Sequence, residues 1–224
     1  GHIVTTPDRV YPDGMAALLP KVREYVREVN PDGVMISECL NDFTGQWCDS
    51  SWDWQMMLDF PEPVLCTIPW VFASIEVDAM EFEETNKAFA YKLHLDMKID
   101  GGDAPITKYP TYAAFVKAHA DLRKRVKDYY VYADFRDEQG ISLNTRDGVM
   151  AKTYHNAVTR RASIVVAETA GKETSVTVAS AWKATGAVCC DSSDGTQTQM
   201  PAGCAYSLRL NPYEVRVLCL DLAE

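Results

Sequence analysis

Asn30-Pro31-Asp32-Gly33-Val34-Met35-Ile36-Ser37-Glu38-Cys39-Leu40-Asn41-Asp42 is the stretch on which the reading of the chain turns. Asn30 to Gly33 is a turn signature, since proline presets φ while Asn, Asp and Gly tolerate the tight backbone. The apolar run Val34 to Ile36 then reads as a buried strand that stops at Glu38. Beyond it a loop carries Asn41, Asp42, Trp47, Asp49, Trp52 and Trp54. Parallel β/α architectures hold their reacting groups at the carboxyl ends of strands, where the strand is rigid and the following loop shapes a cleft. Glu38 occupies such a position.

Working outward, Leu18, Val22, Tyr25, Val26 and Val29 recur at helical spacing upstream, with charged residues between them. The Asn30 turn stops that helix, giving a helix-turn-strand unit. Downstream, Ser51 to Phe60 reads as a short helix broken by Pro61-Glu62-Pro63. Val64 to Phe72 reads as a second strand, which Pro69 confines to an end or a bulge. Glu81 to Tyr91 is helical, with acidic residues in the first turn where the helix dipole favours them. Leu93 to Ile99 alternates as a third strand would, and continuation of the preceding helix is the other reading. Thr111 to Tyr130 is the clearest helix, with Pro110 near its start.

After Asp134 the composition shifts to Thr, Val, Ser and Ala in short alternating runs: Gly148 to His155, Ala162 to Glu168, Thr174 to Ala181, Ala205 to Leu210 and Glu214 to Leu222. Short strands with turn residues between them indicate a small antiparallel β-sandwich. The expected fold is therefore α/β plus all-β. A partial (β/α)-barrel-like region spans residues 1–135 and a sandwich spans 136–224, with the changeover between Asp134 and Asn144.

The chain has 224 residues, 47% of them hydrophobic, as expected of a globular protein. Its formal net charge of -10 argues against partners that present phosphate backbones or anionic membranes. No apolar run is long enough to span a bilayer, and the first residues lack the apolar segment of a signal peptide. The compartment stays open. Gly1-His2 fits the scar of a cleaved affinity tag, in which case the natural protein begins elsewhere. The seven cysteines include no C-x-x-C pair and several sit in apolar runs, so they read as free thiols and not as a metal site.

The order of these segments carries a resemblance. A strand ends in Glu38, an aromatic loop follows, then further strand and helix, and an Arg-rich last helix (Ala120-Asp-Leu-Arg-Lys-Arg125). Tyr132-Ala-Asp-Phe-Arg-Asp-Glu-Gln-Gly-Ile141 comes next, and Leu208-Arg-Leu-Asn-Pro-Tyr-Glu-Val-Arg-Val-Leu218 closes the chain. The whole resembles the carboxyl-terminal part of a bacterial glycoside-hydrolase-like (β/α)8-barrel protein with its carboxyl-terminal β-sandwich domain. A complete barrel needs roughly 200 residues or more, and too little chain precedes the sandwich. Two or three barrel strands are legible, so a fragment of a longer enzyme is expected.

The resemblance implies sugar cleavage by a carboxylate pair, with an oligosaccharide or polysaccharide as partner and no cofactor or metal. Glu38 is the expected catalytic residue. It would end the sixth strand of a full barrel if Leu93 to Ile99 is the last strand, or the seventh if that segment is helical, and its role as acid/base or nucleophile stays open. Asp42 and Asp49 would bind sugar hydroxyls or supply the partner carboxylate; otherwise they form turns. Trp47, Trp52 and Trp54 would form a stacking platform, or pack beneath the loop. Glu76, Asp78 and Asp96 would line the same cleft or lie on a solvated surface. The scattered histidines form no Ser-His-Asp order, and Ile99-Asp-Gly-Gly-Asp103 lacks the context of a phosphate loop. On this reading the chain alone would be inactive. Two other readings remain: a non-catalytic carbohydrate-binding or structural module, and a homo-oligomer paired through an open sheet edge.

Overall fold

The computed structural model describes residues 10–38, 44–53 and 61–223. Helix α1 (Val10–Val29) ends where expected, with the Gly33 amide donating to Asn30 O at 2.8 Å in the turn that follows. Four short strands then build one parallel sheet in chain order: β1 (Ile36–Glu38), β2 (Ser50–Asp53), β3 (Phe72–Asp78) and β4 (His94–Lys98). Helix α2 (Pro61–Thr67) connects β2 to β3, α3 (Phe82–Ala90) connects β3 to β4, and α4 (Pro110–Arg125) follows β4.

Several sequence expectations change here. Val64 to Phe72 is no strand; its first part lies in α2, and β3 begins only at Phe72. Pro61 and Pro63 occupy the first turn of that helix, where a missing amide hydrogen costs nothing, so they start the helix and break nothing. Ser51 to Asp53, expected at the start of a short helix, belong to β2; the rest of that expected helix, 54–60, lies outside the described residues. Leu93 to Ile99 takes the strand reading. Val34 to Glu38 is not buried: Val34 and Ile36 are each 64% exposed, because β1 is an edge strand. The stripe Leu18, Val22, Tyr25 and Val29 on α1 is exposed as well. Cys66, expected in a strand core, is exposed on α2.

The remaining strands are antiparallel. A six-stranded sheet runs β11-β10-β13-β8-β7-β5, and a three-stranded sheet runs β12-β9-β6. Their bounds are β5 (Asp134–Phe135), β6 (Ile141–Leu143), β7 (Val149–Asn156), β8 (Arg161–Glu168), β9 (Thr174–Ser180), β10 (Ala184–Asp191), β11 (Gln197–Met200), β12 (Ala205–Leu210) and β13 (Val215–Leu222). β10 went unread in the sequence because a glycine and two adjacent cysteines interrupt its alternation.

The six-stranded sheet is apolar on both faces, which explains the unbroken run Ala162 to Ala167. Ile164, Val166, Leu218 and Leu220 pack with Val176, Val178, Tyr206 and Leu208 of the three-stranded sheet. Their neighbours Val165, Ala167, Val217 and Cys219 face the other way, against Ala88, Phe89, Leu122 and Tyr130. That second cluster continues through Ile75, Val77 and Leu93 to one face of the parallel sheet. Helix α3 is thus covered on both sides, while α4 buries one face, through Tyr112, His119 and Leu122.

Several buried polar groups along this seam are paired, which offsets their desolvation. Asn86 donates through Nδ2 to Glu168 O at 2.6 Å, and its Oδ1 lies 2.7 Å from His119 Nε2. Burial pushes the His119 imidazole down to about 4, so it is neutral at neutral pH. Lys152, 5% exposed, meets Glu62 at 3.0 Å and Asp137 at 2.5 Å. Its burial opposes the charge, but the hydrogen bonds to Asp137 and Glu62 outweigh it and raise the pKa of the ammonium.

Candidate functional site

Strand periodicity assigns the parallel sheet two unlike faces. Ser51, Ala73, Ile75, Val77 and Leu93 are buried, and the last four belong to the cluster that holds residues of α3 and α4. The alternate residues form the other face: Glu38 on β1; Phe72, Ser74, Glu76 and Asp78 on β3; His94, Asp96 and Lys98 on β4. Along β3 the burial alternates strictly, with Phe72 and Asp78 exposed and Ser74 and Glu76 half-buried. This face is polar toward the carboxyl ends of its strands.

Register fixes the neighbours on that face. Glu38 is level with Trp52, which is level with Ser74, which is level with His94. One step toward the carboxyl ends, Glu76 pairs with Asp96, and Asp78 pairs with Lys98. Lys98 Nζ lies 3.0 Å from Glu76 Oε1, and the hydrogen bond to Glu76 raises its pKa. Toward the amino ends the face becomes apolar, with Phe72 and His94 meeting edge to face at a centroid distance of 5.4 Å.

The expected site residues separate into groups. Glu38 is the last residue of β1, level by register with Ser74 and His94 and one step short of the Glu76–Asp96 pair, and it is exposed. Trp52 is its register neighbour by backbone pairing. Asp42 and Trp54 lie outside the described residues. Asp49 sits at the opposite, amino-terminal rim, just before β2, and is fully engaged there. It accepts from Arg27 at 2.8 Å, from Arg23 at 3.3 Å and from the Met35 amide at 3.0 Å, which ties α1 to the sheet. The segment carrying Trp47 is held at that same end, by Trp70 Nε1 donating to Gly45 O at 3.1 Å and Arg23 to Gln46 O at 3.2 Å. The structure does not bring Asp49 or this segment to Glu38.

Glu76, Asp78 and Asp96 do share the Glu38 face. Sequence reading missed Lys98 and missed that Ser50 to Asp53 is a strand. The alternation Phe72 to Asp78 held the signal that these acids line one face, obscured by placing a strand across Pro69. Among the described residues, no group of three or more His, Cys, Asp or Glu is arranged to hold a metal ion, and no helix is long and apolar enough to cross a membrane.

A sheet face of this kind supplies several carboxylates and one ammonium at the ends of parallel strands, a set suited to hydrogen-bonding hydroxyls and to acid–base chemistry.

No protein-family model matches the chain, and no curated protein matches its sequence. Solved structures do match its fold. An α-amylase from H. orenii superimposes with a TM-score of 0.61 at 11% identity, covering 98% of this chain and 59% of that one. A maltogenic α-amylase from Thermotoga neapolitana gives 0.58 at 10% identity, covering 92% and 58%. A putative α-galactosidase from Bacteroides fragilis gives 0.57 at 8% identity, covering 99% and 53%. The likeness is one of fold: the chain is built like part of a glycoside hydrolase, and it spans little more than half the length of each of these structures.

Proposed function

We propose that this chain is the carboxyl-terminal part of a carbohydrate-cleaving enzyme. Residues 1–135 form part of a (β/α)8 barrel and residues 136–224 form its β-sandwich. The carrying observation is the shared face of Glu38, Glu76, Asp78 and Asp96 on the parallel sheet. With β4 as the last of eight strands, β1 is the fifth, one place earlier than the sequence count implied.

In this reading Glu38 is the acid/base or nucleophile. Its partner carboxylate comes from the strand that would pair with the open side of β1, a strand spacing of about 5 Å away. Glu76, Asp78, Asp96 and Lys98 orient the sugar through its hydroxyls, and Asp42, Trp52 and Trp54 keep the sugar-binding roles expected from the sequence. Two carboxylates suffice for glycoside hydrolysis, so no cofactor is invoked.

A non-catalytic carbohydrate-binding module is the second reading, favoured by the engagement of Glu76 with Lys98, which leaves one acid fewer for chemistry. Incubating the longer polypeptide with a panel of α- and β-linked oligosaccharides, alongside affinity electrophoresis on the same sugars, separates the two. Cleavage products from at least one sugar are expected. Retardation on the gel with no product from any sugar would favour the binding module.

A further inference from the structure

One pair of thiols inside the six-stranded sheet has no part in the sugar chemistry. Strands β10 and β13 are antiparallel neighbours, with Cys190 opposite Val217 and Cys219 opposite Val188. Residues two apart on a strand share a face, so Cys190 and Cys219 are diagonal neighbours on one face of the sheet. That face packs into the cluster that holds Leu122, Val126 and Tyr130, and the two cysteines are only 4% and 6% exposed. Cys189, opposite Leu218, belongs to the cluster on the other face. The Cys190 and Cys219 thiols are in hydrogen-bond contact with each other.

A thiol pair can close to a disulfide or capture a metal ion, and size separates the two. Diagonal neighbours in an antiparallel pair are about 7–8 Å apart, at or past the span of about 7 Å that a disulfide bridges without backbone movement. A disulfide draws the sulfurs to about 2.0 Å, whereas two metal–sulfur bonds of about 2.3 Å hold them up to about 4.6 Å apart. The diagonal spacing therefore fits a bridging ion better than a direct bond. The ligand set then selects the ion. Structural zinc takes four ligands, and among the described residues no group of three or more His, Cys, Asp or Glu is placed to hold a metal. Two thiolates in an apolar surround suit a soft ion of low coordination number, and copper(I) is the biological ion of that kind.

We infer that Cys190 and Cys219 form a two-coordinate copper(I) site within the β-sandwich. Both S–H bonds release their protons to water, two sulfur–copper bonds form, and no electron is transferred. The resulting complex carries one net negative charge, which an apolar interior tolerates only beside a cation. Arg125, the last residue of α4, supplies it: its Nη2 donates to Asp191 O at 2.7 Å, on the residue next to Cys190. The site lies on the antiparallel sheet and owes nothing to Glu38 or to the partial-barrel reading.

Anaerobic titration of this chain with copper(I), in competition with a chromophoric copper(I) chelator, tests the assignment. One equivalent should be retained by the native chain and by Cys189→Ala. Cys190→Ala and Cys219→Ala should each hold it at least about tenfold more weakly, with the circular dichroism unchanged. X-ray absorption of the copper-loaded native chain needs no variant to fold, and it should show two sulfur neighbours with no nitrogen or oxygen. Three results would overturn the inference. The first is the same equivalent, at undiminished affinity, in the double variant Cys190→Ala/Cys219→Ala. The second is copper bound by three or more ligands. The third is a Cys190–Cys219 linked peptide, lighter by two hydrogens, after mild treatment with glutathione disulfide, since that would make the pair a disulfide site. Every readout is independent of hydrolysis, so loss of the proposed sugar activity and loss of the copper site are told apart.

Discussion

Glu38→Gln in the longer polypeptide is expected to lower kcat/KM for sugar cleavage by at least about 10³-fold, equivalent to about 4 kcal/mol of transition-state stabilisation. Substrate affinity should stay within about threefold, since the amide keeps the size and hydrogen-bonding reach of the acid while losing its proton chemistry. Parallel replacements at Glu76 and Asp96 should do the opposite, weakening binding more than turnover, because those residues are assigned to hold hydroxyls. Steady-state kinetics paired with calorimetry on a non-hydrolysed analogue gives both quantities. A Glu38→Gln protein with near-normal kcat would remove Glu38 from the chemistry.

The largest stability effect is expected at Glu168, whose side chain is wholly buried at the end of β8. Its carboxylate accepts from three backbone amides: Ala170 at 2.7 Å, Gly171 at 2.9 Å and Tyr213 at 2.8 Å. These bonds pin two chain turns against each other, and the Tyr213 ring then stacks on Phe82 of α3 at 5.3 Å. Gly171 belongs to the same arrangement. Its φ of +70° favours glycine, and a Cβ there would lie 2.8 Å from the Tyr213 hydroxyl oxygen.

Glu168→Ala would orphan all three donors in a site without water access and open a void. A loss of about 4 kcal/mol is expected, within the range for breaking a buried network. For a chain of this size that corresponds to a fall in Tm of roughly 8–16 °C. Glu168→Gln, which keeps an acceptor but turns a donor toward the amides, should lose about half as much. Chemical denaturation at neutral pH measures both. A loss under about 1 kcal/mol for Glu168→Ala would mean that the turns are held by other contacts.

What the sequence revealed tracks the length and regularity of each element. Helices α3 and α4, and strands β7, β8, β9, β12 and β13, carry long periodic patterns and were legible. β2 has only four residues, Ser50 to Asp53, and two serines give it no apolar signature. α2 was hidden by prolines that look like breakers but sit where a helix tolerates them. The exposed β1 and the open stripe on α1 misled for another reason. Their apolar residues signal burial, and among the described residues nothing buries them.

The site followed the same logic. Glu38 could be singled out because a turn, an apolar run and an acid occur in immediate succession. Asp49 could not be separated from it by sequence alone: both are acids flanking short strands, and only the register shows that they lie at opposite ends of the sheet, with Asp49 bound to Arg23 and Arg27. Lys98 was unreadable as a site residue, because its role depends on the diagonal reach from β4 to Glu76 on β3.

The most direct measurement is a crystal structure of the longer polypeptide carrying Glu38→Gln with an intact oligosaccharide bound. A scissile linkage is expected over the carboxyl ends of β1 to β4, with the side chain at position 38 within about 3.5 Å of the anomeric carbon or the glycosidic oxygen. A sugar seated on the antiparallel sheets, with position 38 turned to open solvent, would contradict it.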